Sequence, residues 1–144
     1  MQPTISIPTR RRAADWLPQS LLQLVARGAM AAVFLASGRH KVEGLATLKP
    51  TTYAMFRLDY PFALPPELAA QTITLAEHLL PVLLLVGLFT RASALILIAM
   101  TLAMDIWIAP ASWPQHLCWM GLLLTLVAHG GGAMSVDHVM CRGD

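Results

Sequence analysis

The chain has 144 residues, of which 56% are apolar and only 12% carry a charged side chain. A disordered chain needs the opposite balance, and a soluble domain carries about twice this charged fraction. The net charge of +2 gives no basic surface for nucleic acid. The composition therefore indicates a single small all-α membrane protein that crosses the bilayer several times.

Four apolar stretches predict four transmembrane helices. The predicted spans are about 20–37, 68–89, 92–109 and 114–129. At about 1.5 Å per residue, each crosses most of a hydrocarbon core about 30 Å thick. The dipeptide Thr90-Arg91 predicts a tight turn between the second and third spans, and three glycines at 130–132 predict the end of the fourth. The sequence thus predicts a four-helix transmembrane bundle.

The connection between the first two spans, residues 38–67, is long for a helical hairpin. Within it, Lys49–Leu58 has the pattern of a short amphipathic helix, with Tyr53 and Phe56 facing lipid or the bundle. Such a helix predicts a partly ordered cap on the outer face of the bundle. A plain linker is the alternative, and the sequence leaves both open.

An even number of spans puts both ends of the chain on one side of the membrane. The compact basic cluster Arg10–Arg12 lies next to the first span, which favours the cytoplasm for that side. The first span lacks a small-residue cleavage site, so we expect it to stay in the mature protein. We therefore expect a cytoplasmic segment at 1–18, a transmembrane domain at 19–130 and a cytoplasmic tail at 131–144.

Ionisable side chains inside a span cost about 2.5–3.5 kcal/mol each, so they usually face partners within the bundle. Arg27 lies near the middle of the first span and Glu77 near the middle of the second. Their opposite charges predict an ion pair between the two helices. The pair would be either a packing device or part of a functional site.

Asp105 and His116 flank the short turn between the third and fourth spans, which predicts a hydrogen bond between them. This pair would pass protons to a quinone or bind a cation. The alternative is a structural pair at the membrane interface, in which each side chain only satisfies the hydrogen bond of the other. Glu77 and His78 are adjacent and point about 100° apart, and Pro81 predicts a kink that opens space for a ligand. The candidate catalytic residues are Glu77, His78, Asp105 and His116.

No metal site is predicted, because the His, Cys and Met residues show no recognised ligand spacing. Met100 and Met104 are four residues apart, which is also ordinary core spacing. Cys118 and Cys141 form no CxxC motif, and the glycine-rich loops and nucleophile motifs of soluble enzymes are missing from the sequence.

Three segments carry a family resemblance. The first span contains Arg27 and is followed by Ser-Gly-Arg-His-Lys at 37–41. The second contains Ala-Glu at 76–77 and ends in Val-Gly-Leu-Phe-Thr-Arg at 86–91. The end of the chain reads Gly-Gly-Gly-Ala-Met-Ser-Val-Asp at 130–137. Together these segments resemble the DoxX family of small bacterial membrane proteins over about residues 21–137.

The last segment departs from the family pattern at two positions. Gly131 stands where the family often has proline, and Ala133 stands where it has arginine. The combination of Ala-Glu with Gly-Leu-Phe-Thr-Arg carries the resemblance better than any single piece.

The resemblance implies a four-helix bundle in the bacterial inner membrane. Some members resemble subunits of a thiosulfate:quinone oxidoreductase, which implies a subunit or accessory of a quinone-linked system with quinone as a non-covalent cofactor. Whether the chain is itself an enzyme stays open. The alternatives are a non-catalytic scaffold or assembly partner in a copper or oxidative-stress pathway, and a small-molecule transporter.

The expected partners follow from this reading. They are the lipid bilayer, a quinone, and either further copies of the chain or a partner protein; nucleic acid is not expected. Small residues in the first span would suit close helix packing. These residues are Gly28, Ala29, Ala31, Ala32 and Ala36.

Overall fold

The computed structural model describes residues 18–44, 47–59 and 64–140, which are mostly helical. The long helices are α1 (Gln19–Lys41), α3 (Pro66–Val86), α4 (Thr90–Trp107) and α5 (Trp113–His129). The short elements are β1 (Val42–Glu43), β2 (Thr47–Leu48), α2 (Pro50–Asp59), a 3-10 turn (Pro110–Ser112) and α6 (Val136–Met140). The topology signal at Arg10–Arg12 and the cysteine at 141 lie outside the described residues.

Helix α1 extends one turn beyond the predicted end of the first span. Its last turn contains Arg39, His40 and Lys41, and cations there interact favourably with the carbonyl end of the helix. An antiparallel two-stranded ladder follows, in which Val42 pairs with Leu48. The first long helix therefore ends at Lys41, and the two-stranded ladder begins only at Val42.

The turn between α3 and α4 lies earlier than predicted. Gly87 has a φ of 76°, and its N–H donates to the carbonyl of Leu84 at 3.1 Å, while the N–H of Leu88 donates to Leu83 at 2.9 Å. This is a Schellman motif, for which a left-handed glycine is the favoured residue. The prediction of a turn at Thr90-Arg91 is therefore wrong, because Thr90 already begins α4.

Of the two interpretations left open for the outer connection, the structure has the helix, α2. Phe56 is buried against Ala69 and Ala70 of α3, in a small apolar cluster separate from the main core. On the surface, both guanidinium contacts of Arg57 go to one carboxylate oxygen of Glu67, at 2.7 and 2.9 Å. The amphipathic pattern of α2 therefore docks it onto the first turns of α3.

The main core lies between the four long helices. α1 packs chiefly on α3, α4 packs on α5, and α1 also contacts α5. The side-chain amide of Gln23 reaches the carbonyl of His129 at 3.5 Å, so the start of α1 lies beside the end of α5. The core residues are Ala26, Met30, Phe34, Leu80, Leu84, Ala94, Leu97, Leu123 and Leu126.

The outward faces of the long helices are apolar. Val25, Leu75, Leu95 and Leu124, one on each helix, are all more than half exposed. A soluble domain rarely exposes contiguous apolar surface of this kind. Three helices in the described ranges, α1, α3 and α4, are long and apolar enough to cross a membrane. Helix α5 has 17 residues and a similarly apolar composition.

Candidate functional site

A cavity of about 670 Å³ lies between α1, α2, α3, α4 and α5, and each of these helices contributes side chains to its wall. This volume is in the range of small-molecule sites, which extends from about 300 to 1,000 Å³. Most of the lining side chains are apolar. The ionisable residues in the lining are Lys41, Asp59, Glu77 and His116.

The first polar group in the cavity wall is centred on Glu77, which is 2% exposed. Its Oε1 atom accepts hydrogen bonds from Lys41 Nζ and, at 3.2 Å, from Ser37 Oγ. Ser37 and Lys41 are one turn apart on α1, and Lys41 also donates to Ser37 Oγ at 3.3 Å. The negative charge of Glu77 is therefore balanced by a neighbouring ammonium group.

The predicted ion pair between Arg27 and Glu77 is wrong. The guanidinium of Arg27 donates instead to four backbone carbonyls near the end of the bundle. These are the carbonyls of Leu84 at 2.6 Å, Leu85 at 2.5 Å, and Gly131 and Met134 at 3.0 Å each.

The geometry of helical side chains explains this outcome. The Arg27 and Glu77 contacts show that α1 and α3 run antiparallel. Side chains tilt towards the N-terminus of their own helix, so Arg27 and Glu77 point to opposite ends of the bundle. Arg27 meets the carbonyls in the last turn of α3, and Glu77 meets the last turn of α1.

A second charged residue fastens the same end of the bundle. The carboxylate of Asp137 accepts hydrogen bonds from the backbone N–H groups of Phe89 at 2.8 Å and Thr90 at 2.9 Å. Partial burial raises the pKa of Asp137, but these amides and the charge of Arg27 outweigh it and hold the pKa below its usual value. Arg27 and Asp137 thus attach the tail to the α3–α4 turn, a structural role.

The predicted contact between Asp105 and His116 is confirmed. His116 Nδ1 lies 2.5 Å from Asp105 Oδ1, and His116 is only 4% exposed. In the neutral imidazole, Nδ1–H donates to the carboxylate, which leaves Nε2 as a hydrogen-bond acceptor. The ring packs against Trp119 with 4.6 Å between centroids. His116 and Trp119 line the cavity, whereas Asp105 orients the imidazole as its hydrogen-bond partner.

His78 is placed away from this site. Its Nδ1 lies 2.8 Å from the carbonyl of Thr74, and its ring packs so closely on α1 that a Cβ at Gly38 would be 2.8 Å from Cε1. The structure therefore brings Glu77 and His116 to one cavity and leaves His78 in the α1–α3 contact. The catalytic role of Glu77, His78, Asp105 and His116 stays a prediction.

Sequence reasoning missed Ser37 and Lys41 as site residues. Both belong to the Ser-Gly-Arg-His-Lys segment, but the first span was predicted to end at Ser37, which put Lys41 in a loop. The signal was the spacing: Ser37 and Lys41 are four residues apart, so if the first helix continues past residue 37, both side chains lie on one face of it.

The soft metal ligands among the described residues divide between the cavity wall and the outer surface. Met100 and Met104 line the cavity, whereas Cys118 is exposed on α5. Within residues 18–44, 47–59 and 64–140, no group of three or more His, Cys, Asp or Glu side chains is arranged to hold a metal ion.

Apolar outer faces, long apolar helices and a ligand-sized cavity between them define a helical membrane protein. A family model for DoxX matches residues 22–110, which is more than half of the chain. The chain therefore belongs to the DoxX family. No curated protein and no solved structure shows significant similarity to it.

Proposed function

We propose that this DoxX-family protein is a quinone-binding subunit or accessory of a membrane oxidoreductase system in the bacterial inner membrane. The cavity carries this proposal. Its wall is apolar except for a few polar groups, chiefly the Lys41–Glu77 pair and the imidazole of His116. A quinone has the complementary form, with a small polar ring and a long apolar chain.

The residues of the wall fit a quinone head group. Glu77 and His116 supply hydrogen-bonding atoms to the ring, and Ile73 and Met100 supply apolar surface. A bound quinone supplies two-electron chemistry, and a partner protein with its own redox centre would exchange the electrons. The protein's own part is then to orient the ring and to exchange protons through the imidazole that Asp105 holds.

We further propose that α5 is the fourth span. Its 17 residues extend about 26 Å, and Leu117 and Leu124 are exposed as lipid-facing residues would be. One 3-10 turn joins α4 to α5, which favours an antiparallel pair. With four spans, the transmembrane domain is residues 19–130, and residues 1–18 and 131–144 lie on the same side of the membrane. The basic cluster Arg10–Arg12 favours the cytoplasm for that side.

Quinone binding is tested with the purified protein in nanodiscs, titrated with short-chain ubiquinone and menaquinone analogues. We expect saturable binding that Ala103→Phe abolishes, because Ala103 lines the cavity. Ala92→Phe is the matched control, since Ala92 is exposed on the same helix outside the cavity. Absence of saturable binding in the wild type, or unchanged binding in Ala103→Phe, would overturn the proposal.

A scaffold is the second candidate, and one face of α1 favours it. Ala29, Ala32 and Ala36 are exposed along this face, and a Cβ built on Gly28 meets no atom within 4 Å. Small residues let membrane helices approach closely, either in a homo-oligomer or with a partner protein. A partner that co-purifies with wild type and Ala103→Phe alike, but not with Ala32→Phe, would support the scaffold.

A further inference from the structure

One carboxylate oxygen of Glu77 carries all the hydrogen bonds of that side chain. Oε1 accepts from Lys41 and Ser37, whereas Oε2 is buried and accepts no hydrogen bond from the described residues. A buried polar atom without a partner loses its hydration and gains nothing in return. Glu77 lines the cavity, so a molecule bound there would be the donor that Oε2 lacks.

Most polar donors of the cavity wall are engaged within the protein, but the indole N–H of Trp119, whose ring packs on His116, has no acceptor among the described residues. Lys41 donates to Glu77 and Ser37, and Ser37 donates to Glu77. The hydroxyl of Thr101 donates to the carbonyl of Leu97 at 2.8 Å. In contrast, Oε2 of Glu77 and Nε2 of neutral His116 are acceptors. At Glu77 the wall therefore complements a ligand group that donates a hydrogen bond, and at Trp119 one that accepts, and a hydroxyl group can do both.

The charges of the wall narrow the ligand class further. Lys41 already balances Glu77, so no cationic head group is required there. Asp59 lies in the lining and Asp105 lies behind His116, so the remaining carboxylates disfavour an anionic head group such as a fatty acid or a phosphate. An uncharged head group with a hydroxyl donor fits the wall best.

We infer that the cavity binds an uncharged amphiphile whose hydroxyl group donates a hydrogen bond to Oε2 of Glu77. On the proposed function, on which this extension rests, the site prefers a reduced hydroquinone to the oxidised quinone. A hydroquinone has two hydroxyl donors. An oxidised quinone has two carbonyl acceptors and no donor, so it would place a carbonyl against the carboxylate oxygen and leave both unsatisfied.

The test separates the hydroxyl preference from the quinone function. The first arm compares binding of 4-octylphenol with its methyl ether, which has a similar shape and no donor, and with 4-octylbenzoate. The second arm compares one short-chain ubiquinone analogue in its reduced and oxidised forms without oxygen. The protein is the full chain in nanodiscs throughout.

We expect the phenol to bind about ten-fold or more tightly than its ether, and the benzoate to bind least. We expect the same factor between the hydroquinone and the quinone. Equal affinity for phenol and ether overturns the hydroxyl inference. If the phenol is preferred but neither quinone form binds, the hydroxyl inference holds and the proposed quinone function fails.

A pair of variants assigns the preference to Glu77. Glu77→Gln gives the cavity an amide that can donate as well as accept, so the preference for phenol over ether should fall to about two-fold or less. Glu67→Gln is the matched control on the same helix, because Glu67 is exposed and pairs with Arg57 outside the cavity. If folded Glu77→Gln keeps the full preference for phenol over ether, the assignment of that preference to Glu77 is wrong. The comparison of phenol and ether in the wild type needs no variant.

Discussion

Lys41 neutralises Glu77 across the contact between α1 and α3, although the two residues are 36 positions apart in the chain. Ser37, one turn before Lys41, donates to the same carboxylate oxygen. The other buried charge, Arg27, is satisfied separately by backbone carbonyls at the opposite end of the contact. Glu77 and Arg27 therefore have separate partners, and their contacts lie at opposite ends of the α1–α3 contact.

Replacing Lys41 tests the buried pair. Lys41→Met leaves the carboxylate of Glu77 buried without its counter-charge, which should lower the free energy of unfolding by about 3 kcal/mol. The double variant Lys41→Met, Glu77→Leu should recover most of this loss, because apolar side chains replace both charges. Thermal unfolding in detergent is the measurement, with Lys49→Met, a half-buried lysine outside this pair, as the control. A single variant as stable as wild type would contradict the pairing.

Replacing Arg27 tests the attachment of the tail. Arg27→Lys keeps the charge but has too few donors, in the wrong geometry, for four carbonyls. We expect the free energy of unfolding to fall by about 2–3 kcal/mol. Hydrogen exchange should also become faster at the α3–α4 turn. Arg39→Lys, whose exposed side chain bonds only the carbonyl of Gly44 among described residues, should change neither quantity.

Asp137 predicts a specific dependence of stability on pH. Its folded-state pKa lies below the unfolded value, so its contribution is complete above the unfolded pKa, about 3.9, and disappears as the pH falls through the folded pKa. Asp137→Asn should reduce stability above pH 5 and flatten the loss below about pH 4. Unfolding measured between pH 2.5 and pH 7 checks this. Glu43→Gln, an exposed control, should keep the wild-type curve.

Two glycines predict opposite outcomes on substitution. At Gly87 a Cβ would lie 2.5 Å from Cβ of Ser135 and 2.8 Å from the guanidinium of Arg27, and its φ is left-handed. Gly87→Ala should therefore lower stability by about 2 kcal/mol or more. At Gly28 a Cβ meets nothing within 4 Å, so Gly28→Ala should raise stability by about 0.5–1 kcal/mol. Equal thermal midpoints for the two variants would contradict this account.

Local patterns predicted most of the elements correctly. The spacing around Phe56 made a helix in the outer connection one of two open interpretations, and the shortness of the turn between α4 and α5 predicted the contact between Asp105 and His116. Both features depend on residues that are close in the chain. The turn after α3 lies at Gly87, which accepts left-handed backbone, and not at the polar dipeptide Thr90-Arg91 three residues later.

The composition and the hydropathy pattern by themselves determined that this chain is a helical membrane protein with a few ionisable groups inside it. Burial of apolar surface is favourable whichever apolar partner covers it. The hydropathy of each segment therefore predicts a membrane helix without knowledge of its neighbours. Only the tertiary structure decided which partner each buried charge has, and which of the candidate residues share a cavity. Those outcomes depend on the direction in which each side chain leaves its helix and on the antiparallel packing of α1 against α3, which no single segment specifies.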